Sequence, residues 1–179
     1  TASSSPVSPL CDGDLLTLIG GGAGSTGTYT WTDGTTTYTN GQAFPPSIGT
    51  LTYTVTGTDV NSCSDIATIP ITVNSLPIVT ASSSPVSPLC DGDLLTLTGG
   101  GAGSTGTYTW TDGTTTYTNG QAFPPSIGTL TYTVTGTDAS TTCSNTEDVI
   151  VTVNAKPTAT ISGSATICAG NNTDLSFSL

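Results

Sequence analysis

Five cysteines are the residues of this sequence whose type and spacing could support covalent chemistry. They are Cys11, Cys63, Cys90, Cys143 and Cys168. None is part of a CxxC pair, and the chain has no histidine that could complete a metal site. Recurrent cysteines without metal-ligand partners are typical of disulfides in an oxidising compartment. We therefore predict a disulfide-bonded extracellular protein.

Paired carboxylates are the second candidate for chemistry. They occur in two CDGD motifs, as Asp12, Asp14, Asp91 and Asp93. Such pairs act in glycosidases, and carboxylate oxygens bind calcium. DGD is also a common turn signal, which is the interpretation we favour, with a calcium site helped by Asp59 or Asp65 as the alternative. Because no histidine is present to serve as a general base, we expect no enzymatic activity and no other cofactor.

Two further motifs are weak indicators of function. The glycine-rich GGGAGSTG (residues 20–27) lacks the GK[ST] ending of a phosphate loop, and we interpret it as a hairpin loop between strands B and C. Asn171-Asn172-Thr173 is a single glycosylation sequon.

The charge balance excludes several classes of partner. The net charge is −11, and Lys156 is the only basic residue. Nucleic acids and anionic membranes are bound through clustered lysine and arginine, so neither is an expected partner. No apolar stretch approaches the roughly 20 residues of a membrane span, so we expect no membrane insertion.

The elements that position these residues are repeated along the chain. Residues 1–59 and 80–138 differ only at Ile19 and Thr98. We predict one repeat over 1–77, a second over 78–157, and the start of a truncated third over 158–179. Thr1 in place of methionine, and an end inside an apparent strand, indicate a fragment of a longer array. A period of about 79 residues suits small domains, each with its own core, better than a solenoid.

Alternating residues predict the fold of each repeat. In GTYTWTDG, Tyr29 and Trp31 share one face, and threonines occupy the other. GTLTYTVTGTD places Leu51, Tyr53 and Val55 inward, and IATIPITV continues the pattern. Period-2 alternation bounded by Gly, Asn, Asp and Pro turns predicts an all-β fold of tandem antiparallel β-sandwiches.

Threonine and tryptophan have structural interpretations in this fold. Threonine is β-branched and tolerates water, so we place the threonines on the outer faces of strands. An ordered Thr-x-Thr array that binds ice or crystalline polysaccharide is the alternative, although a twisted sheet fits it poorly. We interpret Trp31 and Trp110 as core residues rather than sugar-stacking platforms.

The disulfide pairing has two solutions. Pairing within each repeat, Cys11 with Cys63 and Cys90 with Cys143, is the economical choice. In a standard sandwich, however, these positions lie at opposite ends, and Cα atoms more than about 7 Å apart cannot be bridged. Cys11–Cys143, joining neighbouring repeats, is therefore the alternative. The partner of Cys168 is expected outside residues 1–179.

The motifs PLCDGDLLTL (9–18), ATICAGNNTDLSF (165–177) and GTLTYTVTGTD resemble the opening and closing strands of immunoglobulin-like and PKD-like repeats. Such repeats occur in large Bacteroidota surface adhesins, including gliding-motility adhesins exported by type IX secretion. The resemblance implies a non-catalytic stalk or fibre at the bacterial cell surface, with neighbouring repeats as partners. One alternative is a filament subunit that joins identical chains by strand addition. The other is a carbohydrate-binding module using Tyr38, Tyr117 or the GGGAG loop on a surface polysaccharide.

Overall fold

A computed structural model of the chain describes residues 1–162, 169 and 176–178. All regular elements in this part of the chain are β-strands, and it contains no helix long and apolar enough to cross a membrane. The first repeat contains β1 (Ala2–Ser5), β2 (Leu10–Cys11), β3 (Leu16–Gly20), β4 (Thr28–Thr32), β5 (Thr37–Thr39), β6 (Ala43–Phe44), β7 (Gly49–Thr58) and β8 (Ser64–Asn74). The second contains β9 (Thr80–Ser84), β10 (Leu89–Cys90), β11 (Leu95–Gly100), β12 (Thr107–Thr111), β13 (Thr116–Thr118), β14 (Ala122–Phe123), β15 (Gly128–Thr137) and β16 (Ser144–Asn154). They are followed by β17 (Thr160–Ser162) and β18 (Ser176–Ser178).

Each repeat forms two sheets. In the first, one sheet has the order β1-β3-β6 and the other β2-β8-β7-β4-β5. The second repeats both orders with β9-β11-β14 and β10-β16-β15-β12-β13. The predicted all-β, immunoglobulin-like tandem sandwich fold is confirmed.

The first strand changes sheets. β1 pairs antiparallel with β3, whereas β2 pairs parallel with the end of β8. Pro6 and Pro9 both lie in the segment between β1 and β2, Pro6 directly after β1 and Pro9 directly before β2. Since proline has no backbone N–H to donate, it interrupts ladder pairing, which allows the chain to cross from one sheet edge to the other.

The core of the first repeat lies between its sheets, as the alternation predicts. Trp31 is fully buried, with Tyr53 and Val55 beside it, and Leu51 is partly buried. The remaining buried members are Leu10, Leu16, Leu18, Ile71 and Val73. Trp110 is fully buried in the second repeat as well. The interpretation of both tryptophans as core residues is confirmed.

The outer faces carry the threonines. Thr28 and Thr30 of β4 are exposed, and Thr52 of β7 likewise. Thr50 and Thr72 lie opposite each other on β7 and β8, with their hydroxyl oxygens 2.9 Å apart. Such cross-strand pairs stabilise a sheet at its water-facing side.

The chain after the second repeat is described only in part. β17 and β18 pair antiparallel, with Thr160 opposite Ser178. Cys168 and the sequon at 171–173 lie outside the described residues.

The chain divides into two compact units whose boundaries do not follow the repeats. The first compact unit contains Thr1–Thr80, Gly99–Thr109 and Val134–Glu147, and the second contains Ala81–Thr98, Trp110–Thr133 and Asp148–Leu179. The β11–β12 and β15–β16 loops of the second repeat thus belong to the first compact unit.

Candidate functional site

The structure joins Cys11 to Cys143, with their Cα atoms 5.6 Å apart. Both cysteines lie in the first compact unit, although they come from different repeats. Among the described residues, Cys63 and Cys90 are free and exposed. The chain therefore carries the alternative pairing between repeats.

The geometry of one strand explains why pairing within a repeat does not occur. Cys11 pairs with Asn74 at the end of β8, whereas Cys63 immediately precedes the start of β8 at Ser64. A strand of 11 residues spans roughly 33 Å at about 3.3 Å per residue. A disulfide bridges Cα atoms only about 4.4–6.8 Å apart, so Cys11 cannot reach Cys63.

The carboxylates of the CDGD motif position the β2 cysteine. The backbone N–H of Cys11 donates to Oδ2 of Asp14 at 2.8 Å, and the Asp14 N–H donates back to the Cys11 carbonyl at 3.0 Å. The Asp12 N–H donates to the Asn74 carbonyl at 2.8 Å, which fixes the turn to β8. The motif therefore forms a turn, which is the favoured interpretation of its sequence.

The second repeat forms the same turn. Cys90 donates to Asp93 Oδ2 at 2.9 Å, and the Asp91 N–H donates to the Asn154 carbonyl at 2.8 Å. Within the described residues, no three acidic, cysteine or histidine side chains are grouped to hold a metal ion. Calcium binding at Asp12, Asp14, Asp91 or Asp93 stays a prediction.

The second cysteine of each repeat lies at the end of the loop that joins the last two long strands of that repeat. In the β7–β8 loop, Oδ1 of Asp59 accepts the N–H groups of Asn61 and Cys63, both at 2.8 Å. The Asp59 N–H donates to the Cys63 carbonyl at 2.9 Å, and Ser62 adopts a left-handed conformation with φ of 63°. This turn holds the Cys63 thiol at the loop surface.

The β15–β16 loop uses the same design with one extra residue. Oδ1 of Asp138 accepts the hydroxyl of Ser140 at 2.6 Å and its N–H at 2.7 Å. These hydrogen bonds lower the pKa of Asp138. Thr142 has a φ of 62° immediately before Cys143, which is buried in its disulfide.

An open cavity lies beside Cys63. Its volume is about 290 Å³, and its lining includes Gly22, Ala23, Gly57, Cys63 and Asp65. All of these residues belong to the first repeat and to the first compact unit. The cavity therefore combines an exposed thiol, carboxylates and small residues.

The glycine-rich loop forms one wall of this cavity. We predicted a hairpin, but residues 21–27 connect β3 to β4, which belong to different sheets. That prediction is wrong, because period-2 alternation assigns side chains to faces but does not assign strands to sheets. The loop is fastened by the Ala23 N–H, which donates to the Tyr29 hydroxyl at 2.8 Å.

Tyr38, a candidate for carbohydrate stacking, is packed within its own repeat. Its ring stacks on Phe44 with centroids 4.2 Å apart and meets Tyr53 edge-on at 5.5 Å. Its hydroxyl donates to Oδ2 of Asp33 at 2.7 Å. Burial and this hydrogen bond raise the pKa of Tyr38 to about 12.

Asp33 is held as an ionised acceptor. The Thr36 N–H, the Tyr38 hydroxyl and the N–H and hydroxyl of Thr35 lower its pKa far below the ordinary 3.8. A carboxylate so strongly stabilised as an anion is a poor general acid or base near neutral pH. The arrangement fixes the turn between β4 and β5.

The second repeat contains the same group, with Tyr117 donating to Asp112 at 2.7 Å. Tyr117, Gln121 and Phe123 also border a cavity of about 200 Å³. Half-buried Tyr117 stacks on Phe123 with centroids 4.2 Å apart. Carbohydrate binding there stays a prediction.

Two solved structures are similar to this chain. Fibronectin(III)-like modules of CbhA from Clostridium thermocellum match at 12% identity with a TM-score of 0.45, over 87% of this chain and 95% of that one. The human CDH23 repeats EC21–23 match at 16% identity with a TM-score of 0.25, over 84% of this chain and 63% of that one. The chain thus spans less than two thirds of the length of the latter. No protein-family model matches the sequence, and no curated protein matches it.

Proposed function

We propose that the chain is a non-catalytic, extracellular repeat region that forms a stalk or fibre of a bacterial cell-surface adhesin. The disulfide between Cys11 and Cys143 carries this proposal. A disulfide persists in the oxidising space outside the cytoplasm, and this one connects one repeat to the next. A region whose covalent cross-links run between repeats is suited to holding an array together.

The surface chemistry supports the same role. The outer strand faces present threonine, and the chain contains a single lysine and no arginine. Proteases that cleave after basic residues therefore find at most one site, which favours persistence outside the cell. The near-identity of the two repeats also suits a spacer, because length requires no unique site in each copy.

The proposal is tested on intact cells that produce the full protein. Antibodies raised against this chain should label the cell exterior without permeabilisation, and the label should be lost after treatment of intact cells with a broad-specificity protease. An antibody against a cytoplasmic protein of the same cells is the control. Labelling that appears only after lysis would overturn the extracellular role.

The stalk role is tested separately from the location. An in-frame deletion of one whole repeat, residues 78–157, should leave export and ligand attachment intact while shortening the projection seen by electron microscopy. Loss of attachment in a strain that still displays the shortened protein would show that this region binds the ligand itself.

A further inference from the structure

Residues 77–79, called the docked segment below, lie at the boundary between the two repeats and pack against the second. The Pro77 carbonyl accepts a hydrogen bond from Asn145 Nδ2 at 3.2 Å. The Ile78 carbonyl occupies the place where a Cβ on Gly101 would be. These contacts hold the backbone of the segment against the β11–β12 loop and the start of β16.

Val79 anchors the docked segment through its side chain. That side chain is only 7% exposed, whereas the neighbouring Ile78 is 83% exposed. A Cβ on Gly136 would lie 2.8 Å from Val79 Cγ2 and 3.3 Å from the Cβ of Ala102. The absence of a side chain at Gly136 therefore leaves the room that Val79 occupies. The Ala102 N–H donates to the Tyr108 hydroxyl at 2.9 Å, which fixes this wall of the site.

The disulfide between Cys11 and Cys143 holds the same place covalently. Cys11 pairs with Asn74 at the end of β8, where the chain enters the docked segment. Cys143 immediately precedes β16, the strand that contains Asn145. Both cysteines and the docked segment belong to the first compact unit. The bond and the docked segment therefore connect the same two parts of this unit.

Two interactions that connect the same parts of a molecule stabilise each other. While the disulfide is intact, the docked segment detaches only a short distance from its site, which raises the effective concentration for rebinding. While the segment is docked, the two cysteines stay within the Cα separation that a disulfide requires. Linkage requires the two effects to be the same factor, measured in either direction.

We propose that the boundary between the repeats is a redox-sensitive latch, in which docking of residues 77–79 and the Cys11–Cys143 bond stabilise each other. In the oxidised chain the segment is held in its site, with Val79 covered. In the reduced chain the segment detaches more often and exposes Val79. The latch does not depend on the adhesin role proposed above.

The reductant is a low-molecular-weight thiol. Its thiolate attacks the sulfur of half-buried Cys11, because Cys143 is only 1% exposed. The sulfur–sulfur bond breaks, and Cys143 leaves as a thiolate that takes a proton from water. A second thiolate attacks the outer sulfur of the mixed disulfide, and Cys11 leaves in the same way. One protein disulfide is reduced to two thiols, and two small thiols are oxidised to one disulfide.

Proteolysis of the full chain tests the first direction of the coupling. Serine replaces Cys63, Cys90 and Cys168, so that Cys11–Cys143 is the only disulfide the chain can form. Thermolysin cleaves before large aliphatic residues, and its rate reports the population in which the segment is detached. Cleavage within the docked segment, located by mass spectrometry, should be several-fold faster in the reduced chain than in the oxidised chain. Equal rates would overturn the proposal.

A variant without the bond controls for effects of the reductant. Cys11→Ser in the same chain should be cleaved as fast as the reduced parent, and its rate should not change on reduction. A Cys11→Ser chain cleaved as slowly as the oxidised parent would show that the bond does not hold the segment.

Disulfide equilibrium tests the opposite direction. Val79→Asp opposes docking, because it would bury a carboxylate without a partner. In glutathione redox buffer, this substitution should lower the equilibrium constant for forming Cys11–Cys143 several-fold. Ile78→Asp makes the matched change at an exposed side chain and should alter the constant by less than about twofold. Equal constants for the two variants would overturn the proposal.

Val79→Ala provides a milder version of the same test. It removes the buried methyl groups without adding a charge, so it should lower the equilibrium constant in the same direction even where the aspartate variant does not fold. Tryptophan fluorescence of each variant checks that the repeats are folded. A folded Val79→Ala chain with the parent's equilibrium constant and the parent's rate of cleavage would contradict the anchoring role of Val79.

Discussion

Oδ1 of Asn40 accepts a hydrogen bond from the indole Nε1 of Trp31 at 2.9 Å. The same oxygen accepts the backbone N–H of Gly20 at 2.6 Å. Trp31 lies on β4 and Gly20 on β3, which belong to different sheets. One amide oxygen therefore satisfies the only polar atom of the largest core side chain and ties the two sheets together.

Asn40→Ala should reduce the free energy of unfolding by about 1–3 kcal/mol, because the buried indole N–H loses its acceptor. Urea denaturation followed by tryptophan fluorescence measures this change. Gln42→Ala alters an exposed amide two residues away and should change the free energy by less than about 0.5 kcal/mol. Equal effects of the two substitutions would show that the Asn40 hydrogen bonds are dispensable.

Asp33 and Asp112 should make the chain sensitive to acid. Their pKa values lie below the ordinary 3.8 in the folded chain, so the folded state favours the ionised form. The stability that they contribute is complete above the unfolded pKa and is lost as the pH falls below about 4. The double variant Asp33→Asn/Asp112→Asn should be less stable than the parent at pH 7, and the difference should narrow in acid.

Urea midpoints at neutral pH and well below pH 4 measure that difference. Asp12→Asn/Asp91→Asn removes the same formal charge from the two CDGD turns and serves as the matched control. A gap between parent and Asp33→Asn/Asp112→Asn that stays constant with pH would contradict the role assigned to these carboxylates.

Gly101 and Gly22 offer a comparison of two equivalent sites. Both have positive φ, 91° and 103°, so alanine strains the backbone similarly at each. Only at Gly101 would the new methyl group overlap the Ile78 carbonyl. We therefore expect Gly101→Ala to be more destabilising than Gly22→Ala by about 1–3 kcal/mol in urea denaturation. Similar losses at the two sites would indicate that Ile78 does not pack on Gly101.

The joint between Cys11 and Cys143 is open to direct mapping. Pepsin digestion in acid suppresses disulfide exchange and should release a fragment in which peptides containing Cys11 and Cys143 are linked. In the chain-entropy treatment, a bond across 132 residues stabilises by about 5 kcal/mol at most. Cys143→Ser should therefore lower stability markedly, and Cys63→Ser should not. Recovery of a Cys11–Cys63 fragment would contradict the structure.

Alternation in the sequence was sufficient to predict the faces of the strands. Trp31, Tyr53 and Val55 occupy inward positions. Because side chains alternate between the two faces of a strand, an apolar face can be buried in only one orientation of the strand. The same signal did not predict the sheet to which each strand belongs. For this reason, alternation did not predict that the loop at 21–27 crosses from one sheet to the other.

The partners of polar residues were less accessible from sequence. Asn40 lies in a TNG segment that signals a turn, and nothing in that signal indicates that its side chain bonds Trp31. The choice between Cys63 and Cys143 as the partner of Cys11 depended on the distance between the two ends of β8, which separates Cys11 from Cys63. The spacing of the cysteines along the sequence does not determine that distance.

The position of the disulfide also determines how the chain transmits a pulling force. Tension applied at the two ends travels through residues 1–11, crosses the sulfur–sulfur bond from Cys11 to Cys143, and continues from there. Residues 12–142, which include β3–β15, lie outside that path. While the disulfide is intact, pulling on the two ends cannot extend residues 12–142, and only reduction of the bond makes that length of chain extensible.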